Sequence, residues 1–195
     1  NKGLDEEITE EELILTTRKK AEEILASRGF ARQELLILWG RLGRDYFIRE
    51  NADDIAWHTE ALASYDKEKK SLVLMKNTTT SRVANATQIF IFTRPTHHLF
   101  AITCSELEVL GLSVHDARIY SDQDGMVLYN FTVLNLDGST LDEYQPRLKL
   151  IEQHLQTALF KDQKKPKLVK RRTPRQKKSF RIATKTNLYE DARQN

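Results

Sequence analysis

The spacing of apolar residues in this chain changes near Ser71, and this change limits the possible folds more than any other feature. Before Ser71 the apolar residues recur at helical spacing. Residues 71–76 and 87–93 instead form short segments rich in β-branched, aliphatic or aromatic side chains, as strands do. The sequence therefore predicts a helical segment over residues 1–70 and a mixed region over residues 71–190.

The mixed region alternates strands and helices in a fixed order. The segments run as strand 87–93, helix 99–110, strand 112–120 and strand 126–136, then a helix and strand 180–184. The second helix is predicted to start at a capping box formed by Thr140 and Glu143, with Pro146 in its first turn and an apolar stripe that reaches Leu159. Asp124-Gly125 is a typical hairpin turn between the two middle strands. The order predicts a ferredoxin-like βαββαβ domain, with an antiparallel sheet and both helices on one face. The fold class is therefore α+β, and residues 71–76 add a further strand.

The helical segment has clear start and stop signals. Thr9 and Glu12 have the spacing of a capping box, and Gly29 is a typical helix end. Further helices are predicted from about Ala31 to Gly43 and from Asn51. A unit of this size buries too little surface to be more than marginally stable alone. We therefore expect it to pack on a partner, which need not belong to this chain.

Composition and charge exclude several classes of protein. The 195 residues carry a net charge of +3, with no long apolar run and one cysteine, Cys104. These features predict a cytoplasmic location without a membrane span or an internal disulfide. Residues 161–178 hold ten bases and one acid, Asp162. We interpret them as a solvated basic loop, and nucleic acid is the weaker alternative because no aromatic residue lies among the bases.

Two histidine-containing pairs are the strongest candidates for chemistry. His115-Asp116 lies on a predicted strand, where neighbouring side chains point to opposite faces and cannot share a metal. His97-His98 lies before a predicted helix and lacks further ligands at a recognisable spacing. Cys104 lies on an apolar helix stripe, which favours a core role. The sequence thus predicts neither catalytic residues nor a metal site.

Four segments resemble one known family in the same order. They are LGRDYFIRENADDIAWHTEAL (42–62), TQIFIFTRPTHHLF (87–100), LGLSVHDARIYSDQDGMV (110–127) and RRTPRQKKSFRIAT (171–184). Together they resemble the C-terminal part of the bifunctional PII-protein uridylyltransferase/uridylyl-removing enzymes. The resemblance implies the tail of an HD-type hydrolase region over residues 1–70, followed by the first ACT domain over residues 71–190.

The resemblance also implies a function. ACT domains of this family sense glutamine and so control the uridylylation and deuridylylation of the PII signal protein in bacterial nitrogen regulation. The chain itself would be non-catalytic and without a cofactor, while the full-length enzyme would use a divalent metal such as Mg²⁺. Its partners would be glutamine or another amino acid, PII, and a second ACT domain or a second copy.

The ligand contacts that the resemblance implies fall in two sets. An amino acid would be bound by Arg94, Pro95, Thr96, His97, His98 and Leu99 in one set, and by Ser113, Val114, His115 and Asp116 in the other. Free amides at a helix start suit a carboxylate, and a nearby acid suits an ammonium group. The first set lacks the glycine that is common before the leucine in ACT domains.

Two other interpretations of the mixed region stay open. A purely structural ACT domain would pair with a twin or a second copy and bind no ligand. An RNA-binding domain would expose the rings of Phe90, Phe92, Tyr129 and Phe131 on its sheet, whereas pairing would bury them against a second ACT sheet. We also expect two copies to pair through an open sheet edge.

Overall fold

The computed structural model describes residues 9–66, 71–78, 85–141 and 145–160. In chain order the elements are α1 (Glu10–Ser27), α2 (Arg32–Gly40), α3 (Arg44–Arg49), α4 (Ala52–Ala63), β1 (Ser71–Thr78), β2 (Ala86–Thr93), α5 (Leu99–Val109), β3 (Leu112–Ser121), β4 (Val127–Asn135) and α6 (Gln145–Phe160). The basic loop 161–178 and the predicted strand 180–184 lie outside the described residues.

The strands form one antiparallel sheet in the order β1-β2-β4-β3. The predicted order of strand, helix, strand, strand and helix is present from β2 to α6. The predicted α+β class is therefore confirmed, with an ACT-like arrangement of sheet and helices. β1 precedes this unit and pairs with β2 on the side away from β4, so that β2 is paired along both edges.

The helical segment begins as its capping signals predict. The Thr9 side chain accepts a hydrogen bond from the Glu12 amide at 3.3 Å, and the Glu12 carboxylate accepts one from the Thr9 amide at 2.9 Å. Asn51 caps α4 by accepting a hydrogen bond from the Asp54 amide at 2.8 Å. The prediction of one helix reaching Gly43 is wrong, because α2 ends at Gly40 and the short helix α3 follows.

One face of the sheet packs against α5 and α6. Val73, Ile89 and Phe131 of the sheet are fully buried there, against Leu107 of α5 and Leu155 of α6. Helix α6 also lies against β1. Both predicted helices of the mixed region therefore cover the same face, as the ferredoxin-like pattern requires.

The other face of the sheet packs against α1 to α4. Phe90, Phe92 and Leu128 of the sheet join a second buried cluster with Tyr46 and Ile55 of the helical segment. The sheet of the same chain is thus a partner on which the helical segment packs. This second layer explains why β2 and β4 are buried along their whole apolar length and not on alternate residues only.

The four aromatic rings proposed as an RNA platform are buried. Phe90 and Phe92 are at most 4% exposed beneath the helical segment, and Tyr129 and Phe131 are at most 6% exposed on the opposite face. Base stacking needs an open ring face, so the sheet offers no RNA platform here. Helices of the same chain cover these rings on both faces, so their burial does not by itself favour pairing with a second ACT sheet.

Candidate functional site

The loop between β2 and α5 carries the first predicted set of ligand contacts. Residues 94–98 are exposed, whereas the Leu99 side chain is buried in the core. Leu99 could therefore contact a ligand through its backbone only. His98 directly before it has a φ of 59°, in the left-handed region. A histidine thus adopts the conformation for which glycine is the common choice.

The start of β3 carries the second predicted set, and it contains a β-bulge. Val114 pairs with Val133 and Asp116 pairs with Thr132, so His115 is the additional residue. His115 is exposed, Ser113 and Val114 are partly buried, and the Asp116 side chain is 32% exposed. The bulge shifts the alternation of side chains after it, and Asp116 thereby shares a face with Thr132.

Within one chain the two predicted sets lie at opposite ends of the sheet. Thr93, which precedes the loop, pairs with Val127, and Val127 pairs with Ser121 at the far end of β3. Val114 pairs with Val133, and Val133 pairs with Thr87 on its other side. Thr87 and Thr93 are six residues apart along β2, which is about 20 Å at the rise of a strand. A single copy therefore cannot close both sets around one amino acid.

Asp116 is connected to a buried carboxylate of the helical segment. The Arg118 Nε donates to Asp116 Oδ2 at 2.9 Å, and its Nη1 donates to Glu50 Oε2 at 2.8 Å. Tyr120 and Asn130 also donate to Glu50, at 2.7 and 3.1 Å. Burial raises the pKa of Glu50, although Arg118 and Tyr120 partly oppose this effect. The cluster is a charged contact between the sheet and the helical segment.

A second polar cluster lies beside the first, around Asp54 of α4. Its carboxylate accepts hydrogen bonds from Lys76 at 2.7 Å and from Gln88 at 2.9 Å. Burial opposes ionisation of Asp54, but the hydrogen bonds and the charge of Lys76 outweigh it and lower the pKa. His58 is fully buried, stacks on Phe90 and contacts the Tyr46 hydroxyl at 3.0 Å. Burial lowers the pKa of His58 to about 3.

Sequence reasoning missed both buried clusters, although one signal for the first is visible. Asp116, Arg118 and Tyr120 alternate along β3, which places three polar or amphipathic side chains on one strand face. Such a face is either solvated or packed on polar partners. Only the structure shows that the partner is Glu50, because the bulge and the packing of the helices decide which face points inward.

An open groove of about 720 Å³ lies where the helical segment meets the β2–α5 loop and the β3–β4 turn. Arg94 and Pro95 of the first predicted set line it, together with apolar residues such as Phe92 and Met126. On its rim Arg41 forms ion pairs with Asp122 at 2.6 Å and with Asp124 at 2.7 Å. The groove thus offers both an apolar wall and charged groups of each sign.

The described residues contain neither a cluster of metal ligands nor a membrane-spanning helix. No group of three or more His, Cys, Asp or Glu side chains lies close enough to hold a metal ion in the described ranges. Helices long and apolar enough to cross a membrane are likewise absent from the described part of the chain. Cys104 is partly buried on α5, and burial raises the pKa of its thiol, which disfavours the reactive thiolate.

These features define a class: a helical segment packed on an ACT-like α+β domain with an antiparallel sheet. Residues 9–61, which span almost all of the helical segment, match the family model described as "Uridylyltransferase GlnD fifth domain". Over 98% of its length the chain is 37% identical to a bifunctional uridylyltransferase/uridylyl-removing enzyme of Ectopseudomonas mendocina. The corresponding enzymes of Azotobacter vinelandii and Pseudomonas putida are 38% and 36% identical over the same share.

The family resemblance stated from the four sequence segments is therefore confirmed. The chain matches a C-terminal part of these enzymes and spans 21% of their length. No solved structure matches the chain. The division at residue 70, the assignment of residues 1–70 to the tail of an HD-type region and the ligand contacts stay predictions.

Proposed function

We propose that this chain is the regulatory region of a bifunctional uridylyltransferase/uridylyl-removing enzyme and that it responds to an amino acid, glutamine. In the whole enzyme, binding would control the uridylylation and deuridylylation of PII in the bacterial cytoplasm. The observation that carries the proposal is the alignment of 98% of the chain with such enzymes, combined with an exposed loop before α5 and a partly exposed acid, Asp116, on β3. Any divalent metal such as Mg²⁺ would serve other parts of the enzyme.

The separation of the two predicted contact sets favours a ligand site shared between two ACT-like sheets. β3 lies at one edge of the described sheet, and its Ile119 side chain is 44% exposed. If two β3 edges pair antiparallel, the start of one strand lies beside the end of the other. Ser113–Asp116 of one copy would then approach Arg94–His98 of the second copy. The second sheet would come from another copy or from a second ACT domain.

Calorimetric titration of the full chain with glutamine tests the proposal. We expect saturable binding that is weakened at least tenfold by Asp116→Asn and by Arg94→Ala, since each removes a charge that pairs with the zwitterion. Asp53→Asn, a change at an exposed acid on α4, serves as the matched control. Asparagine and glutamate test selectivity, and an absence of binding for all three at millimolar concentration would refute the amino-acid response.

The second candidate function is a structural domain that pairs without a ligand, and the open β3 edge favours it equally. Sedimentation at increasing concentration distinguishes the two functions when it is repeated with glutamine. A ligand-dependent dimer supports the shared site, whereas a dimer that forms identically without glutamine, and binds none, supports the structural domain. Ile119→Lys should weaken either dimer because it places a charge on the pairing edge.

A further inference from the structure

Arg118 lies on β3, two residues after the predicted ligand contact Asp116, and its side chain reaches the helical segment. Its Nε donates to Asp116 at 2.9 Å, while its Nη1 donates to the Glu50 carboxylate at 2.8 Å and to the Arg49 carbonyl at 3.1 Å. The Arg118 side chain is 10% exposed and that of Glu50 is fully buried. Asp116 is the solvent-accessible end of this chain of contacts.

Glu50 lies at the joint between two helices of the segment. It follows the last residue of α3 and precedes Asn51, the N-cap of α4. Tyr120 and Asn130 hold the same carboxylate from the sheet side. A change in how Arg118 approaches Glu50 therefore acts directly on the α3–α4 joint and on its contact with the sheet.

The guanidinium group makes the two contacts of Arg118 interdependent. Its donors are fixed in one plane, so the carboxylate that holds the Nε edge also fixes the direction of Nη1. An ammonium group bound at Asp116 would compete with Nε for the same carboxylate. The guanidinium would then lose the partner that orients it toward Glu50 and the Arg49 carbonyl.

We infer that Arg118 is a positioning residue through which occupancy of the Asp116 carboxylate alters the packing of α3 and α4 on the sheet. The identity of the occupant as an amino acid rests on the proposed function. The coupling itself rests only on residues of this chain. It gives a route from a site on β3 to the segment that matches the GlnD fifth domain.

Amide hydrogen exchange of the full chain, without any ligand, tests the coupling. Asp116→Asn should accelerate exchange in residues 44–63 by about threefold, as expected for loss of a partly exposed ion pair, and should leave α5 unchanged. Glu23→Gln, which neutralises an exposed acid on α1 outside the monitored region, is the control and should leave both regions unchanged. Unaltered exchange in residues 44–63, or an equal acceleration in every region, would overturn the inference.

A second variant separates positioning by Arg118 from a general loss of stability. Arg118→Lys keeps a cation near Glu50 but cannot bridge two carboxylates in a fixed plane. In this background Asp116→Asn should produce no further change in residues 44–63. A full threefold acceleration in the Arg118→Lys background would show that Asp116 acts by another route and would contradict the inference.

Glutamine then tests the same route from the ligand side. Saturating glutamine should shift exchange in residues 44–63 of the wild-type chain, and Arg118→Lys should abolish this shift while calorimetry still detects binding. Binding with an unaltered shift in the variant would refute the role of Arg118. If the wild-type chain binds no glutamine, the proposed function fails, and the ligand-free comparison alone decides the coupling.

Discussion

His98 holds a backbone conformation that is unfavourable for a residue with a Cβ atom. Its φ of 59° directly precedes the buried Leu99 at the start of α5. Because the left-handed region costs a non-glycine residue more than glycine loses in chain entropy, we expect His98→Gly to raise the free energy of unfolding by about 0.5–1 kcal/mol. Urea denaturation followed by circular dichroism measures the change.

The neighbouring histidine supplies the control for this prediction. His97→Gly should lower the free energy of unfolding, because His97 has no positive φ to relieve. If His98→Gly were as destabilising as His97→Gly, the His98 ring would have to contribute contacts that outweigh the backbone cost. The same pair of variants in a glutamine titration would show whether the absence of glycine limits ligand approach.

The buried side chain of His58 should make the stability of the protein depend on pH. Its pKa is lowered from 6.5 to about 3 by burial, so the folded state keeps it neutral while the unfolded chain takes up a proton. Its contribution is therefore complete above pH 6.5 and is lost as the pH falls. Between pH 6.5 and about 5.5 the wild type should lose about 1 kcal/mol through this group.

The readout is the free energy of unfolding of the wild type and of His58→Phe at each pH. The variant should lack the loss of about 1 kcal/mol between pH 6.5 and about 5.5. A difference is needed because the raised pKa of Glu50 gives stability the opposite dependence: that contribution is lost as the pH rises. His115→Gln, a change at an exposed histidine, should keep the wild-type slope. An identical slope in His58→Phe would show that His58 is protonated in the folded state.

At the scale of elements, the bulge in β3 decides which side chains meet the helical segment. After the additional residue His115, Arg118 is paired with Asn130 and Tyr120 with Leu128, on the face that contacts α3 and α4. Insertion of one alanine after Asp116 would move the Arg118 and Tyr120 side chains to the opposite face or force the strand to slip. We expect a loss of about 3 kcal/mol or more, because Glu50 would be left buried without its cation.

His115→Ala is the control for the insertion, since it keeps the length of the strand and removes only an exposed side chain. It should change the free energy of unfolding by no more than about 0.5 kcal/mol. Denaturant titration of both variants compares the two effects. Equal, small effects would mean that β3 accommodates the inserted residue and keeps the register of Arg118 and Tyr120.

The elements also show how far the sequence alone predicts this fold. The capping box at Thr9 and the turn at Asp124-Gly125 are local signals, and the structure confirms both elements that they delimit. The bulge at His115 and the helix α3 have no comparable local signal, because pairing with β4 and packing on the sheet determine them. The Glu50–Arg118 contact joins residues far apart in the chain, and it depends on both the bulge and the position of α3.

Prediction of the candidate site has the same limits. Exposure of residues 94–98 and their place before a helix follow from the apolar spacing of β2 and α5. The distance between this loop and Asp116 cannot be predicted from that spacing, since it depends on the direction in which β3 runs beside β4. Only the strand register shows that a second sheet is needed to bring the two sets together.

At the scale of the whole molecule, the helical segment and the sheet should unfold as one unit. Their interface combines apolar packing around Phe90 with the buried ion pairs of Glu50 and Asp54. Separation would expose the Phe90 face and break the hydrogen bonds that Glu50 and Asp54 accept from the sheet. The apolar and polar parts of the interface therefore both oppose independent unfolding of either layer.

This cooperativity can be measured because both tryptophans, Trp39 and Trp57, lie in the helical segment. In a urea titration we expect tryptophan fluorescence, which reports α2 and α4, to coincide with the loss of amide protection in β2 and β4. Phe90→Leu should shift both transitions to lower urea by the same amount, since it creates a cavity in their common core. A fluorescence transition that precedes the loss of strand protection would show that the segment detaches from an intact sheet. Coincident transitions would mean that the two layers unfold together, so that an acceleration of exchange confined to residues 44–63 reports local opening of α3 and α4 within the folded molecule.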